Sequence, residues 1–308
     1  MPRIWKAIPY ALFSVIICYI GYKVWTLNSL LSESQILFPS STFLPNSPKW
    51  FLILFLCPIN WILEAAKWRV STRTFSSISI TQSLKAVLSG QALNLIVPGS
   101  VGHYAGRIAH AENDKLKRVA AVFVCQAWQM AVTFGASLIG LWYWGTAILP
   151  FRSEGFILIA ICTLLGVVSI GVIVKQVHIE WLEKIRVGFR ELSARQFAEI
   201  GAYSLIRYLV FTTQFVLMLQ LAGASTSWYE LTFAISLVFM AKSMMPSIHF
   251  LSDLGLREFC ALLFLPTIGI KEEVVLLASL AIWVVNILLP SLVGAFMILH
   301  IKMVRVWQ

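Results

Sequence analysis

Apolar residues fall into stretches of about 20 along most of the chain, the length at which a helix crosses the hydrocarbon core of a bilayer. Full-length runs occupy about 7–27, 50–68, 119–144, 155–174, 197–221 and 274–301. Arg3 and Lys6 precede the first run, as in a secretory leader. Its apolar core is longer than a leader's and no small-residue cleavage site follows, so it reads as a retained span. Two further apolar stretches are interrupted. One begins near Leu84, breaks at Val97-Pro98-Gly99-Ser100 and resumes to Ala111; the other begins at Leu231, breaks at Pro246 and resumes to Leu265. Arms of about ten to fourteen residues are too short to span.

Charge sets the direction of these segments. The first broken stretch lies between Lys67, Arg69 and Arg73 on one flank and Lys115, Lys117 and Arg118 on the other. Basic loops stay cytoplasmic, so this stretch enters and leaves on one side: a re-entrant hairpin at about 83–111. Lys302 and Arg305 place the C-terminus in the cytoplasm as well. The crossings then close only if 231–266 is a second hairpin entering from outside. Between 175 and 196, Leu182, Ile185, Phe189 and Leu192 recur at spacings of three and four among basic residues. That pattern predicts a cytoplasmic interfacial helix at about 178–196.

The expected fold is therefore an all-α polytopic membrane protein, a single domain over 1–308. It has about six full transmembrane helices and two oppositely oriented re-entrant helical hairpins. The hairpins sit at corresponding places in repeat 1 (about 49–145) and repeat 2 (about 197–302), which makes an inverted-topology repeat.

Composition agrees: 59% of residues are hydrophobic and 12% charged, against about 25% charged in a globular domain, and mean hydropathy is +0.81. A net charge of +10 belongs to short loops that set topology, and no compact basic domain exists to hold nucleic acid. The expected location is the cell (inner) membrane with both termini cytoplasmic. Tryptophans such as Trp25, Trp50, Trp68, Trp142, Trp144 and Trp307 flank the apolar runs, as in an aromatic belt. The five cysteines form no Cys-x-x-Cys pair and lie in apolar stretches, which suits small core residues. His103 and His249 have no Cys or carboxylate cluster beside them, so neither a metal nor a cofactor is expected. No Gly-x-x-x-x-Gly-Lys-Ser/Thr loop is present, and ATP hydrolysis by this chain is not expected.

Broken helices at membrane depth are tolerated where backbone is buried in protein or lines a wet cavity. Pro98, Gly99, Gly102, Gly106, Pro246 and Gly255 are read as shaping the hairpins. Arg107 and Arg257 follow the two breaks, and an arginine there needs a partner, which a phosphate can supply through bidentate hydrogen bonds. Glu64 can meet Lys67 one turn on. Arg207, four residues after Tyr203, can pair with Glu64 or Asp253, and Asp253 can instead pair with Lys242. Arg257 and Glu258 are neighbours on a helix, which do not face each other, so each is expected to find another partner.

The run Asn94-Leu-Ile-Val-Pro98-Gly-Ser-Val-Gly102 with Arg107, and the later Pro246…Gly255-Leu-Arg257-Glu258, resemble the lysylphosphatidylglycerol synthase transmembrane (flippase) family. Glu64-Ala-Ala-Lys67-Trp68-Arg69 and Arg207 also resemble its recurring positions, and the likeness covers most of the chain. It implies a lipid flippase that moves a phospholipid or polyprenyl-linked lipid between leaflets. The head group, anionic or a polyprenyl phosphate, would pass a cavity formed by the two hairpins. The implied substrate-binding set is Glu64, Asn94, Ser100, His103, Arg107, Arg207, Ser247, Asp253, Arg257 and Glu258. The family often carries Pro-Gly-Arg and an acidic residue in the first hairpin, where this chain has Ser100 and His103-Tyr104. That departure argues against an aminoacyl-lipid substrate. The chain ends at Gln308, without the aminoacyltransferase domain of some relatives, so it is expected to be a stand-alone member that synthesises no lysyl-lipid.

The expected activity is thus transport, not catalysis; a homo-oligomer is compatible with it. An ion-coupled small-solute transporter is the alternative. An intramembrane lipid hydrolase is a weaker one: Pro98-Gly-Ser-Val-Gly-His103 lacks the remaining signatures of lipid phosphatases, and Gly135-Ala-Ser137-Leu138 departs from the rhomboid turn.

Overall fold

The computed structural model describes residues 47–97, 101–109, 115–148, 192–244 and 252–298, together with Ser14 and Cys18. The spans expected at 7–27 and 155–174 and most of the interfacial helix fall outside them. So do the breaks themselves, with Pro98, Gly99, Ser100, Pro246 and Ser247, and the side chain of Asp253.

The described residues are helical throughout, without a strand. Four helices are long and apolar enough to cross a membrane: 48–72, 117–144, 194–221 and 272–298. They coincide with four of the six expected full spans. In chain order the elements are α1 (Pro48–Thr72), α2 (Ile80–Ile96), α3 (Val101–Ala109), α4 (Lys115–Ile148), α5 (Ala194–Leu221), α6 (Trp228–Met244) and α7 (Ser252–Phe264). A short 3₁₀ turn, Pro266–Ile268, leads to α8 (Glu272–Trp283), a π-helical turn Val284–Leu288 and α9 (Leu289–Ile298).

Local chemistry explains several of these boundaries. Ser79 and Ser193 each close a capping box, with Gln82 and Gln196 three residues on, which satisfies two orphan amides at each helix start. The cap at Ser193 starts α5 at Ala194. In the last span Pro290 lacks an N–H, and its ring collides with the carbonyl four residues back, that of Asn286. The helix responds by widening into the π turn Val284–Leu288 instead of breaking.

Helices α1 and α5 run antiparallel along their length. Gln214 Nε2 donates to Ile53 O (2.8 Å) and Lys49 Nζ to Gln220 Oε1 (3.1 Å) at one end. Arg73 Nη1 meets Glu199 Oε2 (3.3 Å) at the other. The 24 residue steps from Lys49 to Arg73 rise about 36 Å, enough for a core about 30 Å thick.

Each broken stretch forms a pair of short helices, α2–α3 and α6–α7. The nine residues of α3 cover only about 13 Å and could not cross. The first pair packs on α1 and α9, the second on α4, α5 and α8. Glycines set the close contacts. A Cβ on Gly102 would enter the backbone of Asn94, and one on Gly106 the backbone of Gly90; one on Gly294 would strike the carbonyl of Leu88. Gly102 and Gly106 thus form a small-x-x-x-small face of the kind that lets membrane helices touch backbone to backbone. Gly255 is different. It is exposed within α7 and a Cβ there meets nothing within 4 Å among the described residues, so no close approach among them requires glycine at that position.

The largest apolar core joins α5, α6, α7 and α8 through residues such as Phe215, Leu219, Ile235, Val238, Leu265 and Val275. Phe51, Phe55, Trp142, Phe259 and Phe296 project outward instead. An outward apolar surface is what a lipid-facing helix presents.

Candidate functional site

The chemistry concentrates where α1, α3, α4 and α5 converge. Helix α1 contributes Glu64 and, one turn on, Lys67, both buried because this stripe faces the bundle. Helix α3, held close to α2 by Gly102 and Gly106, delivers Arg107. Helix α5 delivers Arg207. Arg107 Nη2 donates to Glu64 Oε1 (2.5 Å). Lys67 Nζ lies 2.7 Å and Arg207 Nε 3.4 Å from Glu64 Oε2. One carboxylate therefore meets three cations.

Neutral groups complete the cluster. Gln129 of α4 accepts from both Lys67 Nζ (3.2 Å) and Arg207 Nη1 (3.3 Å) through Oε1, and donates to Ser204 O (3.4 Å). The Arg107 guanidinium lies 5.3 Å from the Trp68 ring centroid and that of Arg207 5.8 Å from Trp61. Such cation–π contacts partly replace lost hydration. Glu64 is nine residues inward from Arg73 on α1, about 13 Å from the end marked by the Arg73–Glu199 pair.

A second charged centre lies on α7. Arg257 Nη2 donates to Glu258 Oε1 (2.7 Å) and to Ser279 O of α8 (2.9 Å). The expectation that these two neighbours turn away from each other is corrected here. Successive residues point about 100° apart on a helix, but two long side chains can bend towards one another, and burial makes that self-pairing worth its distortion. Ser279 lies seven residues from the start of α8, about 10 Å of helix rise. Among the described residues no ion pair joins this centre to the Glu64 cluster.

Of the residues picked from sequence, the structure unites Glu64, Arg107 and Arg207, with Arg207 choosing Glu64 as its carboxylate. It sets Arg257 and Glu258 apart. Asn94 is a backbone neighbour of Gly102 and its Oδ1 is buried without a hydrogen bond among the described residues. His103 lines the α2–α3 contact, its carbonyl 3.1 Å from a Cβ built on Gly90. Sequence reasoning read Lys67 as a partner of Glu64, a basic flank and part of a family-like run but left it out of the binding set, and it passed over Gln129, Asn60 and Asn286. Asn60 Nδ2 donates to Asn286 Oδ1 (3.5 Å) beside the π turn. Their signal was present: each is an uncharged amide in the middle of an apolar run. Among the described residues no cluster of His, Cys, Asp and Glu could hold a metal ion.

Comparison with known proteins places this geometry. No curated protein sequence matches the chain. The family described as "Lysylphosphatidylglycerol synthase TM region" matches residues 7–294, a stretch that includes every helix of both charged centres. The chain belongs to that family of membrane, lipid-related domains.

Proposed function

We propose that this protein is a lipid translocase: it carries a lipid head group between leaflets through the polar interior of the helix bundle, without a chemical step. The observation that carries this reading is the buried Glu64–Arg107–Lys67–Arg207 cluster, about 13 Å from the nearer end of a membrane helix. Charges at such depth are costly and mark substrate pathways. Family membership supports a lipid as the substrate.

In this reading α2–α3 enters from the cytoplasmic face and α6–α7 from the opposite face, as two re-entrant hairpins of an inverted repeat. Each hairpin brings one arginine inward, Arg107 or Arg257, and the two charged centres sit nearer opposite faces. A head group would move from one to the other while its acyl chains stay in hydrocarbon. Cysteine labelling tests the orientation: substitutions at Ser47 and Ser227 are expected to react from outside, and at Arg190 only from inside. The reverse pattern would invert the assignment.

Transport itself is tested in vesicles reconstituted with the full chain and head-group-labelled phospholipids, anionic and zwitterionic, or a polyprenyl phosphate. Leaflet accessibility should equilibrate faster than in empty vesicles for at least one class. Equal rates for every class would end the translocase reading. Arg257→Ala is expected to slow transport at least about tenfold, since hydrogen bonds to charged groups contribute about 1.5–3 kcal/mol. An unchanged rate would remove the second centre from the pathway.

A further inference from the structure

The charge balance of the Glu64 cluster says which head groups it can hold. Among the described residues, three cations and one carboxylate leave a net charge of two positive units (3 − 1 = 2). Gln129 Oε1 is already shared by Lys67 and Arg207, so it offers little more. Arg107 is only 2% exposed, yet among the described residues only its Nη2 donates; Nε and Nη1 find no hydrogen-bond partner there. Nε of Arg207 is also without one, because its approach to Glu64 is not aligned for a hydrogen bond. Buried donors left unmade are expensive, and a surplus of buried positive charge needs an anion. The α7 centre differs in its charge balance, with one carboxylate, Glu258, paired to one arginine, although Nε and Nη1 of Arg257 also lack a partner among the described residues.

Unpaired guanidinium donors in a cluster with surplus positive charge suit a ligand with several anionic oxygens, which is the chemistry of a phosphate. An ammonium group would meet like charge instead. Arg207, 24% exposed at its side chain, is the member a ligand can reach first.

We infer that the Glu64 cluster binds the phosphate of a lipid head group that carries no amine, and disfavours aminoacylated, cationic head groups. This rests on the translocase reading for its ligand being a lipid. The phosphate can come from an anionic glycerophospholipid or from a polyprenyl phosphate.

The test is equilibrium binding to the purified full chain in detergent, which requires no transport. The probes are dihexanoyl phosphatidylglycerol, its lysyl ester, dihexanoyl phosphatidylcholine, farnesyl phosphate and inorganic phosphate. Phosphatidylglycerol or farnesyl phosphate should bind at least about tenfold more tightly than the lysyl and choline lipids, and whichever binds more tightly names the source. Arg207→Gln should abolish that preference at an unchanged melting temperature, and Arg207→Lys should keep part of it. The inference is overturned if the lysyl lipid binds as well as phosphatidylglycerol, or if inorganic phosphate binds as tightly as either lipid phosphate. A folded Arg207→Gln protein that retains the preference overturns it too. Preference without scrambling keeps the site and removes the translocase; scrambling without preference removes the site alone.

Discussion

Glu64→Ala is expected to destabilise the protein by about 3–5 kcal/mol, the usual cost of removing one partner from a buried ion pair. The loss is large because the carboxylate serves three cations at once. Without it, Arg107 and Lys67 remain fully buried with no counter-charge among the described residues, and Gln129 can shield only Lys67 and Arg207. Glu64→Asp should recover part of the stability. The double variant Glu64→Ala, Lys67→Met should be less damaged than the sum of the single changes, because contacting partners couple. Thermal or denaturant unfolding in a fixed detergent checks all of these. A Glu64→Ala protein as stable as the parent would show that the cluster is hydrated or neutralised from elsewhere.

Gly106→Ala is the second large effect, although it adds a single methyl group. That methyl would occupy the backbone of Gly90, and no rotamer change can move a backbone. The α2–α3 pair must separate, at a cost at or above the about 1–3 kcal/mol of ordinary overpacking. Arg107, next along α3, would withdraw from Glu64 as the pair opens. A marked fall in melting temperature and in transport is therefore expected, with Gly102→Ala similar. Gly255→Ala is the control. Among the described residues nothing lies within 4 Å of its Cβ, and alanine is the better helix former by about 1 kcal/mol, so stability should hold or rise. Equal damage at Gly106 and Gly255 would contradict the packing described for the first pair.

These glycines show how far the sequence could be read. Pro and Gly near a break predict an interrupted helix whatever surrounds it, so both stretches read as broken from the sequence, at 98 and 246, positions outside the described residues. Whether a given glycine is needed depends on what stands opposite it. Gly106 faces another backbone and Gly255 faces no described residue, and no local pattern separates the two. The same holds for Arg257 and Glu258, whose helix geometry predicts divergence and whose burial produces a pair.

Hydrophobic length and loop charge by themselves determined that this is a multi-pass helical protein, where four of its spans lie and which stretches are interrupted. Those properties follow from the bilayer acting on each segment alone: about 20 apolar residues are needed to cross it, whatever the rest of the chain does. Tertiary structure alone decided the partners. Glu64, Gln129 and Arg207 come from three helices, and Arg107 from a fourth held in place by glycine contacts. Charge in an apolar interior is stabilised by whatever lies within a few ångströms, and that distance is set by packing, not by order along the chain.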